Sequence, residues 1–175
     1  MRKDPMSARL YCDQIDDMIN RGVERKLTKQ EIKSYDGPVH YIAHHGVQKK
    51  SSKSTPLRIV FNSKVFQGRS LNDYWAKGPD NFINNLLGCL IRFRENFIGF
   101  IGDIKKMYNS IHIETLDQHC HRVLWRGLDE SIEPEIYVIT VVNFGDVPSG
   151  TMATVALYKT AEREKENYPE AAKIV

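Results

Sequence analysis

The run Phe97-Ile98-Gly99-Phe100-Ile101-Gly102 ends on a carboxylate, Asp103, and a large aromatic, Tyr108, follows five residues later. So apolar a run reads as a buried strand, and a carboxylate at the end of a buried strand is costly to desolvate unless a cation meets it there. The fold therefore has to deliver Asp103 to a crevice at a sheet edge, where a metal or an arginine waits. A hard ion such as Mg²⁺ is held in such places by one or two carboxylates together with substrate phosphates. The local alternative is that Asp103 caps the turn that follows it.

The rest of the chain bounds what can surround that strand. Its 175 residues suffice for one domain with a hydrophobic core. With 27% charged and 41% hydrophobic residues it is neither disordered nor membranous. No apolar run approaches the roughly 20 residues of a membrane helix, so no membrane partner is expected. Met1-Arg2-Lys3-Asp4-Pro5 lacks the apolar centre of a signal peptide, which implies an intracellular location. Cys12, Cys89 and Cys120 are odd in number and scattered, which fits core thiols in a reducing compartment.

Charge is more informative by position than in total, because a net +3 is mild. From Gly37 through Asn72 there is no Asp or Glu, yet Lys49, Lys50, Lys53, Arg58, Lys64 and Arg69 fall there beside His40, His44 and His45. A block of one sign facing solvent attracts polyanions, nucleic acid or nucleotide phosphate above all. A solvated basic loop without a partner has the same composition.

Tyr11, Ile15, Met18 and Ile19 recur at helical spacing before Gly22, which predicts a helix over about 8 to 21. Thr28 and Glu31 have the spacing of a capping box and predict a second, shorter helix. "VHYIAHHGV" and "LRIVFN" read as strands around the polar turn "KKSSKSTP", a hairpin with a basic tip. Asp80 is a candidate N-cap for a helix ending near Arg94, with Phe82, Ile83, Leu86, Leu87, Leu90 and Ile91 on one face. "EIYVITVVNFG" reads as a buried strand, and Pro148-Ser149-Gly150 opens a last helix that Tyr168-Pro169 closes. Helices and strands mix without βαβ alternation, so the class is α+β.

Other clusters point less far. His119, Cys120 and His121 do not offer four tetrahedral ligands and have no second pair spaced for zinc. Ser149 lacks the Gly-x-Ser-x-Gly elbow of a hydrolase, and a helix N-cap accounts for it. Trp75 and Trp125 can stack on bases, though buried packing is the commoner use of isolated tryptophans.

Taken together, "YIAHHGVQKKSSKSTPLRIVFNSK…GRSLND", "LIRFRENFIGFIGDIKKMYNSIHI", "RVLWR" and "NFGDVPSGTMATVALYKTA…YPEAA" resemble, in that order, the fingers and palm of the reverse transcriptase of BEL/Pao-type long-terminal-repeat retrotransposons. The resemblance covers nearly the whole chain. It implies a partial right-hand polymerase fold: a helical lead over 1–36, a basic fingers hairpin region over 37–78, and an incomplete palm sheet backed by helices over 79–175.

What it implies for function follows residue by residue. Asp103 matches the first catalytic aspartate, which with the backbone carbonyl of Ile104 binds the two Mg²⁺ ions of the family. Tyr108 matches the aromatic steric gate, which excludes a ribose 2′-hydroxyl by volume and so favours deoxynucleotides. Arg58 matches the fingers arginine that clamps the incoming triphosphate, and Lys49 resembles the lysine beside it; a planar guanidinium fork suits phosphate oxygens. Phe144 and Gly145 match the start of the segment under the nucleotide. Lys50, Lys53, Lys64 and Arg69 supply a surface for RNA or DNA template–primer, and deoxynucleoside triphosphates are the small-molecule partners. The location becomes cytoplasm or retroelement particle.

The sequence also departs from that pattern. The family's palm carries two more aspartates in a Tyr-x-Asp-Asp turn after the helix matching "YPEAA". The adjacent pair here, Asp16-Asp17, reads as the solvated face of the first helix. One carboxylate does not hold two Mg²⁺, since each ion wants several hard oxygens. These residues alone are therefore expected to be inactive as a polymerase and to leave a sheet edge uncovered. The other reading of the same features is a non-catalytic, nucleic-acid-binding remnant of a retroelement.

Overall fold

A computed structural model of the chain describes residues 4–48, 56–63, 70–76 and 86–173. Helix α1 spans Pro5–Asn20. It begins earlier than its apolar spacing indicates because Asp4 accepts hydrogen bonds from the amides of Met6 and Ser7 at 3.1 and 3.3 Å, with Pro5 in the first turn. It ends at Gly22, whose φ of +70° lets Val23 N–H return to the Met18 carbonyl at 2.9 Å. Asp17 stays on the solvated side and pairs with Arg21 at 2.8 Å.

Strand β1 (Glu24–Lys26) follows directly, then helix α2 (Lys29–Ser34). The Thr28 hydroxyl accepts from Glu31 N–H at 3.1 Å while the Glu31 carboxylate accepts from Thr28 N–H at 2.8 Å, the reciprocal cap that their spacing predicts. Strands β2 (Ala43–Gln48) and β3 (Leu57–Asn62) form an antiparallel hairpin in which Val47 faces Arg58. The predicted basic tip, with Lys49, Lys50 and Lys53, lies outside the described residues, as do Lys64 and Arg69.

Strands β4 (Arg122–Trp125) and β5 (Glu135–Ile139) complete a second sheet in the order β1-β5-β4, antiparallel throughout. β5 is central because its β-branched residues bury fully: Val138 and Ile139 are 0% and 2% exposed. The hairpin is tied to this sheet ahead of β2. Ile42 N–H donates to the Arg122 carbonyl at 2.8 Å, and Arg122 N–H to the His40 carbonyl at 3.0 Å. Val23, Ile42, Leu71, Val123, Ile139 and Val141 form one core, and Tyr11, Ile15 and Leu57 form another between α1 and the hairpin. Helix α4 runs from Ser149 to Glu164, and α5 (Pro169–Ala172) follows it. The class is mixed α+β, as the sequence predicts.

One expectation is corrected. The segment 97–104 is not a buried strand: Phe97 is fully exposed, and Phe100 and Ile101 are 89% and 91% exposed. An extended segment becomes a strand only when a neighbour takes its N–H and C=O groups, and among the described residues nothing pairs with it. Apolar content alone does not supply that neighbour. Helix α3 (Leu86–Phe93) is the described part of the helix expected to end near Arg94, and its Leu87, Leu90 and Ile91 are exposed. The start of that predicted helix, with Asp80, Phe82 and Ile83, lies outside the described residues.

Candidate functional site

The chain re-enters the sheet just after the exposed segment. Asp103 and Ile104 are exposed, Lys106 adopts a left-handed φ of +54°, and a 3₁₀ turn over Met107–Ser110 carries Tyr108. Ile113 N–H then donates to the Thr140 carbonyl at 3.0 Å, and Val142 N–H to the Ile111 carbonyl at 2.9 Å. Those two bonds lay 111–113 alongside the continuation of β5. Tyr108 is thereby brought next to the loop that follows β5.

In that loop the Phe144 ring meets the Tyr108 ring edge-on, with centroids 4.3 Å apart and planes at 78°. This is the favourable orientation for two aromatic quadrupoles. Phe144 remains 66% exposed, so the pair forms a surface rather than a piece of core. Gly145 has φ +102°, a conformation that L side chains rarely adopt, and a Cβ built there would lie 3.7 Å from the Phe61 carbonyl oxygen of β3. The same strand carries Arg58, exposed, three residues earlier. Of the sequence-predicted site residues, then, the fold joins Tyr108 to Phe144 and sets Gly145 against the strand of Arg58. Asp103 and Ile104 are not drawn into that cluster by any hydrogen bond or ion pair described for them.

The loop is held from behind by Asp146, a residue the sequence reading passed over. Its side chain is almost fully buried, accepting from the Ser63 hydroxyl at the end of β3 and facing His121 Nε2 at 2.7 Å. His121 in turn directs Nδ1 to the Asp117 carbonyl at 3.2 Å. Asn143 Nδ2 lies 3.4 Å from Asp146, and the Ser149 hydroxyl donates to the Asn143 carbonyl at 2.6 Å. Ser149 is therefore not the N-cap of α4, which Pro148 occupies without a side-chain bond; it ties the loop to the helix. The signal available in the sequence was Asp146 itself, a carboxylate amid Phe144, Val147 and Pro148 that needs a partner for the same reason Asp103 does. His121, 25 positions away, is found only in three dimensions.

Beside this network lies a cavity of about 50 Å³ lined by Trp75, His121, Asn143, Asp146 and Met152, among others. Trp75 Nε1 is buried without a hydrogen-bond partner among the described residues. A cavity of that volume admits a water molecule, not a nucleotide. The exposed side of the loop is the Tyr108–Phe144 face, and the cavity lies against the residues that hold the loop from behind.

His119 does not join His121 as a ligand pair. Its Nδ1 accepts from the Arg122 guanidinium at 2.7 Å, and its ring stacks on Tyr35 with centroids 3.7 Å apart. Burial, with Arg122 nearby, lowers the His119 pKa. Trp75 and Trp125 are partly buried against the two cores.

The described residues do not make a magnesium site. Among the described residues no group of three His, Cys, Asp or Glu side chains is placed to share an ion. One carboxylate and one carbonyl leave a cation that demands six oxygens almost wholly to water. No protein-family model matches this chain, and no curated protein matches it.

Proposed function

We propose that this chain forms the fingers and the N-terminal palm of an RNA-directed DNA polymerase of the BEL/Pao retrotransposon type, and that it binds deoxynucleoside triphosphate and template–primer. The observation that carries this reading is the Tyr108–Phe144 ring pair, exposed beside Gly145 and the strand of Arg58. An aromatic wall discriminates sugars by volume, and a guanidinium on the adjacent strand suits polyphosphate. Template–primer would be held through phosphates, with the salt sensitivity of such contacts. Asp103, exposed at the end of its apolar run, is the residue proposed to face the reacting phosphate. Metal-assisted transfer of the nucleotide would need carboxylates besides Asp103.

The test is photo-crosslinking of a labelled deoxythymidine triphosphate, mapped by mass spectrometry. Labelling should concentrate on the peptides holding Tyr108 or Phe144 and be competed by unlabelled nucleotide but not by inorganic phosphate. Labelling spread evenly along the chain overturns the reading.

A second reading is a nucleic-acid-binding remnant without catalysis, favoured by the lack of a metal-ligand group among the described residues. Primer extension on an RNA template, by the longest reading-frame product that contains these residues, separates the two. Extension abolished by Asp103→Ala supports the polymerase; no extension from any product supports the remnant.

A further inference from the structure

We propose that Asn72 is a positioning residue whose carboxamide clasps the loop after β5 and so sets Phe144 against Tyr108. The proposal rests on the nucleotide-binding reading for its consequence, but its geometry stands apart from it. Asn72 Nδ2 donates to the Gly145 carbonyl at 2.9 Å, and Val147 N–H donates to Asn72 Oδ1 at 2.9 Å. One side chain thus grips the backbone on both sides of Asp146. Only a carboxamide presents a donor and an acceptor at the same end in this way.

The grip is useful because Asn72 is itself fixed. It lies in a 3₁₀ turn, Leu71–Asp73, capped by Ser70 and Asp73. Ser70 Oγ accepts from Asn72 N–H at 3.1 Å and donates to the Ser63 carbonyl at 2.7 Å, while Leu71 N–H also reaches that carbonyl at 3.1 Å. Leu71 is buried in the main core. The end of β3 therefore holds the loop twice, through Asn72 on its outer side and through Ser63 and Asp146 on its inner side. Phe144 lies immediately ahead of these anchors, exposed, with its ring on Tyr108.

A loop with a glycine at φ +102° has many alternative conformations, and each anchor removes some of them. Without the Asn72 clasp, Phe144 would no longer be confined to the Tyr108 edge. A gate that works by excluded volume loses its selectivity when the wall behind it moves, even though every residue of the gate is intact. Asn72 would then govern the choice between deoxy- and ribonucleotides without touching either.

The experiment compares the unaltered chain with Asn72→Ala, Asn72→Asp and Asp146→Asn by NMR, with the phenylalanine and tyrosine rings labelled. The closed-to-open ratio of the loop should fall about tenfold in Asn72→Ala, the scale of losing one or two intramolecular hydrogen bonds. The Tyr108–Phe144 cross-peak should weaken accordingly, while cross-peaks between β4 and β5 persist. Asn72→Asp keeps the size and the acceptor but faces the Gly145 carbonyl with a second oxygen, so it should resemble Asn72→Ala rather than the unaltered chain. An unchanged cross-peak in both Asn72 variants overturns the proposal. If Asp146→Asn loses the sheet cross-peaks as well, it has unfolded, and the Asn72 variants decide alone.

A second arm uses Mg²⁺-dATP and Mg²⁺-ATP as probes. The ratio of their dissociation constants should move toward unity in Asn72→Ala, whereas a merely destabilised fold weakens both equally; equal weakening overturns the functional consequence. Failure of the unaltered chain to bind either nucleotide counts against the nucleotide reading, and the ring contact still decides the clasp.

Discussion

Glu24 stands opposite Ile139 in the β1–β5 ladder, fully buried, with neither carboxylate oxygen hydrogen-bonded among the described residues. Desolvation pushes its pKa up to about 7. The same buried acid, after the larger effect of desolvation, helps to raise the pKa of the Tyr11 hydroxyl. A strand only three residues long thus places a titratable group inside the core.

The folded chain holds the Glu24 proton where the unfolded chain has released it, so stability is greatest below the unfolded value near 4.5 and declines as pH rises through about 7. The decline should be on the order of 3 kcal/mol, at about 1.4 kcal/mol per pKa unit. Glu24→Met, close in length and without charge, should remove it and raise stability at pH 8. Urea titrations at pH 5, 6, 7 and 8, spaced roughly one unit apart to span the window, check this. An unchanged slope in Glu24→Met would refute the assignment.

His44 acts in the opposite direction. Its Nε2–H donates to the Leu124 carbonyl at 3.0 Å, which leaves Nδ1 free of a proton to accept from the Tyr11 hydroxyl. Burial lowers its pKa, against a smaller opposing effect of that carbonyl. The folded state then binds fewer protons than the unfolded one, and this contribution is lost as pH falls below about 6.5, the ordinary histidine value. Tyr11→Phe should cost about 1–3 kcal/mol in urea unfolding by leaving the buried nitrogen unpaired.

At the start of α2, Glu31 is held down to about 2 by the Thr28 amide first and by Arg25, 2.7 Å away, second. Its contribution is present above its ordinary pKa near 4.5 and lost as pH falls through about 2. Thr28→Ala removes the hydroxyl half of the cap, should cost about 1 kcal/mol, and should move the Glu31 carboxyl chemical-shift midpoint upward in an NMR titration.

Phe97, Phe100 and Ile101 are exposed, so replacing them with Lys should change unfolding free energy by no more than about 0.5 kcal/mol, as for ordinary surface sites. Self-association measured by light scattering should fall at the same time, because the apolar patch is broken. A large loss of stability would mean that the segment packs somewhere in the folded chain.

These relationships divide by the distance over which they act. The sequence by itself determined what local chemistry controls: the Thr28–Glu31 cap, the stop at Gly22, the two strands of the basic hairpin, the β-branched run that becomes β5, and the last helix. In each case the deciding contacts lie within a few residues, or the residue type has one favourable conformation. Tertiary structure alone decided where the strands found partners. The apolar run 97–102 reads as a buried strand, yet it is exposed, because a strand is made by its neighbour. Conversely Asp146 and Glu24, unremarked in sequence, are both buried near the end of β5, one met by His121 and Ser63 and the other without a hydrogen-bond partner among the described residues. The Tyr108–Phe144 contact joins residues 36 positions apart through two backbone hydrogen bonds beside β5 and the clasp of Asn72. Residue type singled out Tyr108 and Phe144, and long-range pairing brought their rings together.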